Sequence, residues 1–316
     1  MEGIQQFLPS RVSSLSDLVL NCVGSAIGAI FGSVMSNSAH FTPRLVRLRY
    51  QLFKKGQHAN IGIACIGIWS LAQTSPWVPT FDASQIRRGG SAFYRTALNL
   101  ETIIVWQVAA YFLSFLVLAL IWMMIVRIKK YHIALFGIFF ALIIVSKIFI
   151  YTRQLSFEAF FGFLIASTLF PFIFRIKNKN LICLSGITLI GFNHTIMELH
   201  AGTITTLSAI NWIPFFGQLQ SLNGFQGIAE VFWIGFALAF FARVMTHYQH
   251  GLRTAVLGGV CLVLYLSAIV WAKQFVPGRF ADITPIIICI AGWLFGWHGF
   301  FRDETSQSIA QDPARP

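Results

Sequence analysis

The chain has 316 residues, of which 56% are hydrophobic and 11% charged, against roughly 45–50% and about 25% in soluble domains. That composition excludes a soluble enzyme. About nine apolar stretches of about 20 residues leave no loop longer than about 30, short of the roughly 50 that a globular domain needs. The net charge of +12 would point to nucleic acid in a soluble protein. Here the charges flank apolar spans and set topology, so no nucleic-acid partner is expected.

In chain order, spans are predicted at 15–34, 59–77, 102–126, 131–151, 156–174, 180–197, 229–246, 254–272 and 283–301. Placing the loop after the first span in the cytoplasm collects there Arg44, Arg47, Arg49, Lys54, Lys55, Arg127, Lys129, Lys130, Arg175, Lys177, Lys179, Arg243, Arg253, Arg302 and Arg315. The other side keeps Arg11, Arg87, Arg88, Arg95, Arg153, Lys273 and Arg279, with Lys147 inside a span. This is the positive-inside bias, and it predicts an all-α polytopic transmembrane helix bundle with an external N-terminus and a cytoplasmic C-terminus. Met1-Glu2-Gly3-Ile4-Gln5 has no basic-headed leader, so the opening is read either as native or as what remains after loss of an upstream helix pair.

Residues 42–55 place Leu45, Leu48 and Leu52 on one helical face and Arg44, Arg47, Gln51 and Lys54 on another, with Pro43 suited to a first turn. This is either a helix lying on anionic headgroups or a basic topogenic loop. Trp77, between Pro76 and Pro79, fits an interfacial aromatic belt at a helix stop. Lys147 either snorkels, meets a carboxylate or lines a polar cavity. His194 and Glu198 share a helical face four residues apart, near Asn193 and His200. A helix-end hydrogen bond is favoured there over an acid/base site, and no metal site is expected, because H-E-x-x-H and a third ligand are missing. His247 and His250 read as loop residues. Cys22, Cys65, Cys183, Cys261 and Cys289 lie in apolar spans without C-x-x-C spacing and read as packing residues. Residues 302–316 read as a disordered cytoplasmic tail.

One unit occurs twice. Gln6-Phe-Leu-Pro9-Ser-Arg11 recurs as Gln274-Phe-Val-Pro277-Gly-Arg279, each before an apolar span, and Gly24 and Gly28 correspond to Gly292 and Gly296. Both spans therefore carry G-x-x-x-G, which admits a close neighbouring helix. Glu2-x-x-Gln5-x-x-x-Pro9-x-Arg11, then Asp17 and Asn21-x-x-Gly24-x-x-x-Gly28, resembles the second half of the VanZ-like membrane domain. Pro277-Gly278-Arg279-Phe-Ala-Asp282 resembles the same element, and Asn211-Trp-Ile-Pro214-Phe215 followed by Glu230 resembles the domain's first half. The copies depart from each other. Glu2 and Gln5 stand opposite Val270 and Lys273, Asp17 and Asn21 opposite Pro285 and Cys289, and Ser14 opposite Asp282. The organisation expected is a partial repeat at 1–34, a basic interfacial segment at 35–58, central spans at 59–197, a complete VanZ-like domain at 205–301 and a tail at 302–316. A second copy in a homo-oligomer would complete the partial repeat.

The resemblance implies a bacterial inner-membrane protein with a cell-envelope role, glycopeptide resistance of the teicoplanin type being the family's name-giving activity. Arginine grips phosphate bidentately. Arg11, Asp17, Arg279, Asp282 and Asn211 are therefore the expected ligand-binding residues, facing an anionic lipid or a polyprenyl-phosphate-linked intermediate. The structural alternative pairs Arg11 with Asp17 and Arg279 with Asp282. No cofactor is expected, and no nucleophile stands beside a general base, so the reading leans away from an enzyme. A membrane enzyme using His194 and Glu198 on a lipid headgroup, and a transporter built around Lys147, remain the competing classes.

Overall fold

A computed structural model describes residues 22, 25, 26, 29, 33, 41–80, 82–127, 132–150, 153–200, 209–216, 224–246 and 251–298. The chain divides into two compact units, Met1–Phe53 and Lys54–Pro316. In the first, Cys22, Ser25, Ala26, Ala29 and Ser33 are helical and exposed, and α1 (Phe41–Leu52) forms where the basic amphipathic segment was expected. Arg44, Arg47 and Leu48 are exposed on α1, and the Arg49 guanidinium lies 4.7 Å from the centre of the Tyr50 ring.

The second unit is built from nine helices among the described residues. These are α2 (Gln57–Thr74), α3 (Ala83–Leu98), α4 (Val105–Ile125), α5 (His132–Ser146), α6 (Phe157–Ile173), α7 (Lys179–Leu199), α8 (Gly224–Met245), α9 (Gly251–Lys273) and α10 (Thr284–His298). A 3₁₀ turn, Lys147–Phe149, extends α5. The described fold is all-α, and strand-like pairing is confined to two isolated bridges.

Among the described residues, five helices are long and apolar enough to cross a membrane: α4, α5 with its 3₁₀ turn, α7, α8 and α9. The other expected spans have identifiable reasons for falling short. α6 and α10 are apolar but only 17 and 15 residues long, and α2 carries Gln57, His58, Asn60 and Gln73 in its end turns. The span expected at 15–34 lies almost wholly outside the described residues, as do the tail, His247 and His250. The segment 78–101, expected as a loop, contains α3. Ile86, Gly89, Gly90, Phe93 and Ala97, among its buried and half-buried residues, recur at helical spacing, while Arg87, Arg88, Tyr94, Arg95 and Leu98 face outward. Too polar to read as a span, it is nevertheless an amphipathic helix.

Two kinds of packing hold the unit together. Aromatic rings fill the space between α2, α4, α5 and α6. Phe136 lies 4.3 Å from Phe140 and 4.7 Å from Phe170 between ring centres, and Trp69 meets Phe140 at 5.2 Å and Phe115 at 5.9 Å. Between α8 and α10 the residues are small, as membrane helix contacts favour. A Cβ on Gly235 would lie 1.9 Å from the Cys289 carbonyl oxygen, and one on Gly292 would lie 2.1 Å from that of Phe232. The G-x-x-x-G pair thus does admit a close neighbour, and Trp293 beside it donates to the Ala255 carbonyl of α9 at 3.1 Å. Gly24 and Gly28 lie outside the described residues. Cys65, Cys183 and Cys289 are buried packing residues as expected, but Cys22 and Cys261 are exposed.

Gly235→Ala will lower stability by about 1–3 kcal/mol through backbone overlap with α10. Gly67→Ala, where a Cβ meets nothing within 4 Å, will be neutral or stabilising by up to about 1 kcal/mol. Thermal unfolding midpoints in detergent separate the two, and equal midpoints would count against the close α8–α10 contact.

Candidate functional site

The residues singled out from the sequence are brought to one end of the unit, but not as the expected pairs. Pro277 and Gly278 form a reverse turn in which the Arg279 amide donates to the Val276 carbonyl at 3.2 Å. Gly278 has φ +74°, the left-handed position of a type II turn. The turn sends Arg279 to the carboxyl end of α7, where its Nε donates to the His200 carbonyl at 2.7 Å and its Nη2 to that of Met197 at 2.8 Å. Asp282 instead opens α10, accepting from the Thr284 amide at 2.9 Å and from the Thr284 hydroxyl at 2.7 Å. The expected Arg279–Asp282 pair is thus replaced by two helix-end attachments. Arg11 and Asp17 lie outside the described residues.

Asn211 lies beside Asp282. Its amide donates to the Ala281 carbonyl at 2.8 Å, and its carbonyl accepts from Ile283 at 3.3 Å. The two motifs that carry the family resemblance in this half of the chain therefore dock backbone to backbone. The Asn211 side chain closes a local turn with Ile213, with contacts of 3.1 and 3.2 Å.

His194 is 4% exposed and fastens α7 to α9. The Tyr265 hydroxyl lies 2.8 Å from the Gly191 carbonyl and 3.1 Å from His194 Nδ1. His194 Nε2 lies 4.0 Å from Glu198, beyond hydrogen-bond distance, and has no hydrogen-bond partner. Glu198 is held instead by an ion pair with Lys273, and Asn193 donates to the Ser114 hydroxyl at 3.0 Å. Among the described residues no group of three or more His, Cys, Asp or Glu could hold a metal.

Sequence reasoning missed a second cluster at the same end. The chain leaving α2 runs antiparallel to the chain leaving α5: Pro79 bridges Ile150, and the Thr80 amide donates to the Phe149 carbonyl at 2.8 Å. α3 clamps this hairpin, since Gly89 accepts from the Leu155 amide at 2.8 Å. The clamp brings together Gln73, Ser75, Lys147 and Arg153. Lys147, 7% exposed, donates to Gln73 Oε1 at 2.7 Å. Glu230 accepts from Gln226 at 2.6 Å and sits 3.5 Å from Gln73 Nε2, within electrostatic reach of Lys147 and Arg153. Arg153 Nε donates to the Ser75 carbonyl. Lys147 thus meets a carboxylate through an amide relay. The signals in the sequence were Lys147 itself and Glu230; their partners lie too far along the chain for spacing to find.

The outer face of α3 is cationic. Arg87, Arg88 and Arg95 are exposed, and Ala83, Ser84, Arg87, Arg88 and Ser91 line a shallow groove of about 430 Å³. Asp82 caps the helix: hydrogen bonds from the Ser84 amide and hydroxyl hold its carboxyl below the usual range. Two further cations are consumed as helix caps. Arg243, 8% exposed, donates to the Gly296 and Trp297 carbonyls at 3.2 and 2.7 Å, and Lys54 to that of Met124 at 2.7 Å. Compared with models of protein families, with characterised proteins and with solved structures, the chain matches none.

Lys273→Met leaves the Glu198 carboxylate without its ion pair, and stability will fall by about 3 kcal/mol. The double variant Lys273→Met/Glu198→Gln will recover most of that loss. Chemical unfolding of the four proteins in detergent gives the coupling, and no recovery in the double variant would mean that the pair is not what holds Lys273.

Proposed function

We propose that the chain is a VanZ-like membrane protein of about nine spans in a bacterial inner membrane, with its C-terminus cytoplasmic. In this reading it serves the cell envelope, in the context of teicoplanin-type glycopeptide resistance. It binds an anionic lipid or a polyprenyl-phosphate-linked intermediate at the external face. The observation that carries the binding is α3. Three exposed arginines sit on one face of an amphipathic helix that leads within a few residues into α4, a helix long and apolar enough to span. A helix so placed lies at headgroup depth, and its guanidinium groups match phosphate geometry. The belt beside them, Tyr94, Leu98, Leu100 and Val105, is exposed and apolar enough to enter the acyl boundary.

The lipid contact assigned from sequence to Arg279 passes in this reading to Arg87 and Arg88, because Arg279 is engaged at the end of α7. Native mass spectrometry of protein released from membranes tests it. Arg87→Ala/Arg88→Ala is expected to lose at least half of the acidic-lipid adducts retained by wild type, whereas Arg279→Ala lowers the unfolding temperature and keeps them. An unchanged adduct profile in the α3 variant would sink the α3 reading.

A further inference from the structure

The buried cluster behind α3 contains two donors without a hydrogen-bond partner among the described residues. Ser75 is completely buried (0% exposed) and its hydroxyl has no hydrogen-bond partner. Arg153 is bound to the same residue through Nε, yet its buried Nη2 also lacks a partner. Native proteins pair nearly all buried polar groups, and each orphan calls for a reason. The two orphans belong to residues already in contact through the Ser75 carbonyl, and both can donate to an acceptor. Lys147 adds charge to it. It brings three N–H donors, of which Gln73 takes one and the face of the Tyr111 ring, 5.7 Å away, attracts the charge.

Charge identifies the class of acceptor. Lys147 and Arg153 both face the carboxylate of Glu230, so two basic groups stand against it, while the other buried acid nearby, Glu158, is engaged by Ser156. The guanidinium fork suits a planar or tetrahedral oxyanion, and a hydroxyl beside it suits a second oxygen. Arg153 is half-buried, while Ser75 and Lys147 are buried.

We infer that Arg153, Ser75 and Lys147 form a binding site for a singly charged oxyanion, either the phosphodiester of a lipid headgroup or a small free anion of the same chemistry. The site is separate from the outer face of α3 and does not rest on the binding proposed there.

The full chain in a neutral maltoside detergent tests this. Inorganic phosphate is titrated against chloride at matched ionic strength, and phosphatidylglycerol is titrated in mixed micelles. The readout is the thermal unfolding midpoint. A saturable rise is expected in wild type and persists in the Arg87→Ala/Arg88→Ala background, which removes the α3 contact; in that background Ser75→Ala and Arg153→Lys raise the apparent Kd by about tenfold. A rise with phosphatidylglycerol alone assigns the lipid phosphodiester; a rise with phosphate as well assigns a free anion. Ser75→Ala removes one hydroxyl and decides the matter if Arg153→Lys does not fold. No saturable rise in wild type with either probe, or undiminished affinity in Ser75→Ala, overturns the site.

Discussion

A helix leaves its last carbonyl groups without partners inside the helix, and in apolar surroundings water is not there to take them. Much of this structure follows from that constraint. Lys54 closes the end of α4, Arg279 the end of α7 and Arg243 the end of α10, each from a part of the chain remote from the helix it closes. Each contact satisfies carbonyls and sets a positive charge against the negative end of a helix dipole. The same contacts fasten one helix to another. Arg243 illustrates this, since it joins α8 to α10 and reaches Gln57, 186 residues away in the chain, with its second nitrogen.

This use of cations divides the basic residues by task. Arginines at helix ends are engaged by carbonyls and are poor candidates for gripping a ligand. Those left facing outward on α3 have no such task, and Arg153, half-buried behind it, stands with Lys147 opposite the Glu230 carboxylate. The backbone hairpin linking the exits of α2 and α5 is what creates this second group. Without the pairing of Pro79 with Ile150, Ser75 and Arg153 would not meet. α3 secures that pairing because Gly89 lets the helix backbone approach the hairpin; a Cβ there would lie 3.3 Å from the Ile148 carbonyl oxygen.

The apolar segments were legible in the sequence because hydrophobicity over about 20 residues is a local property. So was the small-residue face of α10, since two glycines four apart mark a face that admits a close neighbour, although not which helix that neighbour is. α3 was missed. Its apolar positions recur with helical period, but three arginines and the Gly89–Gly90 pair keep its mean hydropathy below that of a span. Arg279 stands out in the sequence, but its carbonyl partners at the end of α7 do not. Asp282, three residues away, is the nearest acid in sequence, but the type II turn at Pro277–Gly278 carries the guanidinium across to α7.

The sequence by itself determined the all-α class, the apolar segments that become helices and the small-residue face of α10, because each depends on residues within one or two turns of each other. Only the tertiary structure decided which polar groups meet. Lys147 and Gln73 are 74 residues apart, and Gln73 and Glu230 are 157 apart. Such pairings are set by which helix ends come side by side, through ring packing and backbone contact among α2, α4, α5 and α8. No spacing along a single strand of sequence encodes that meeting.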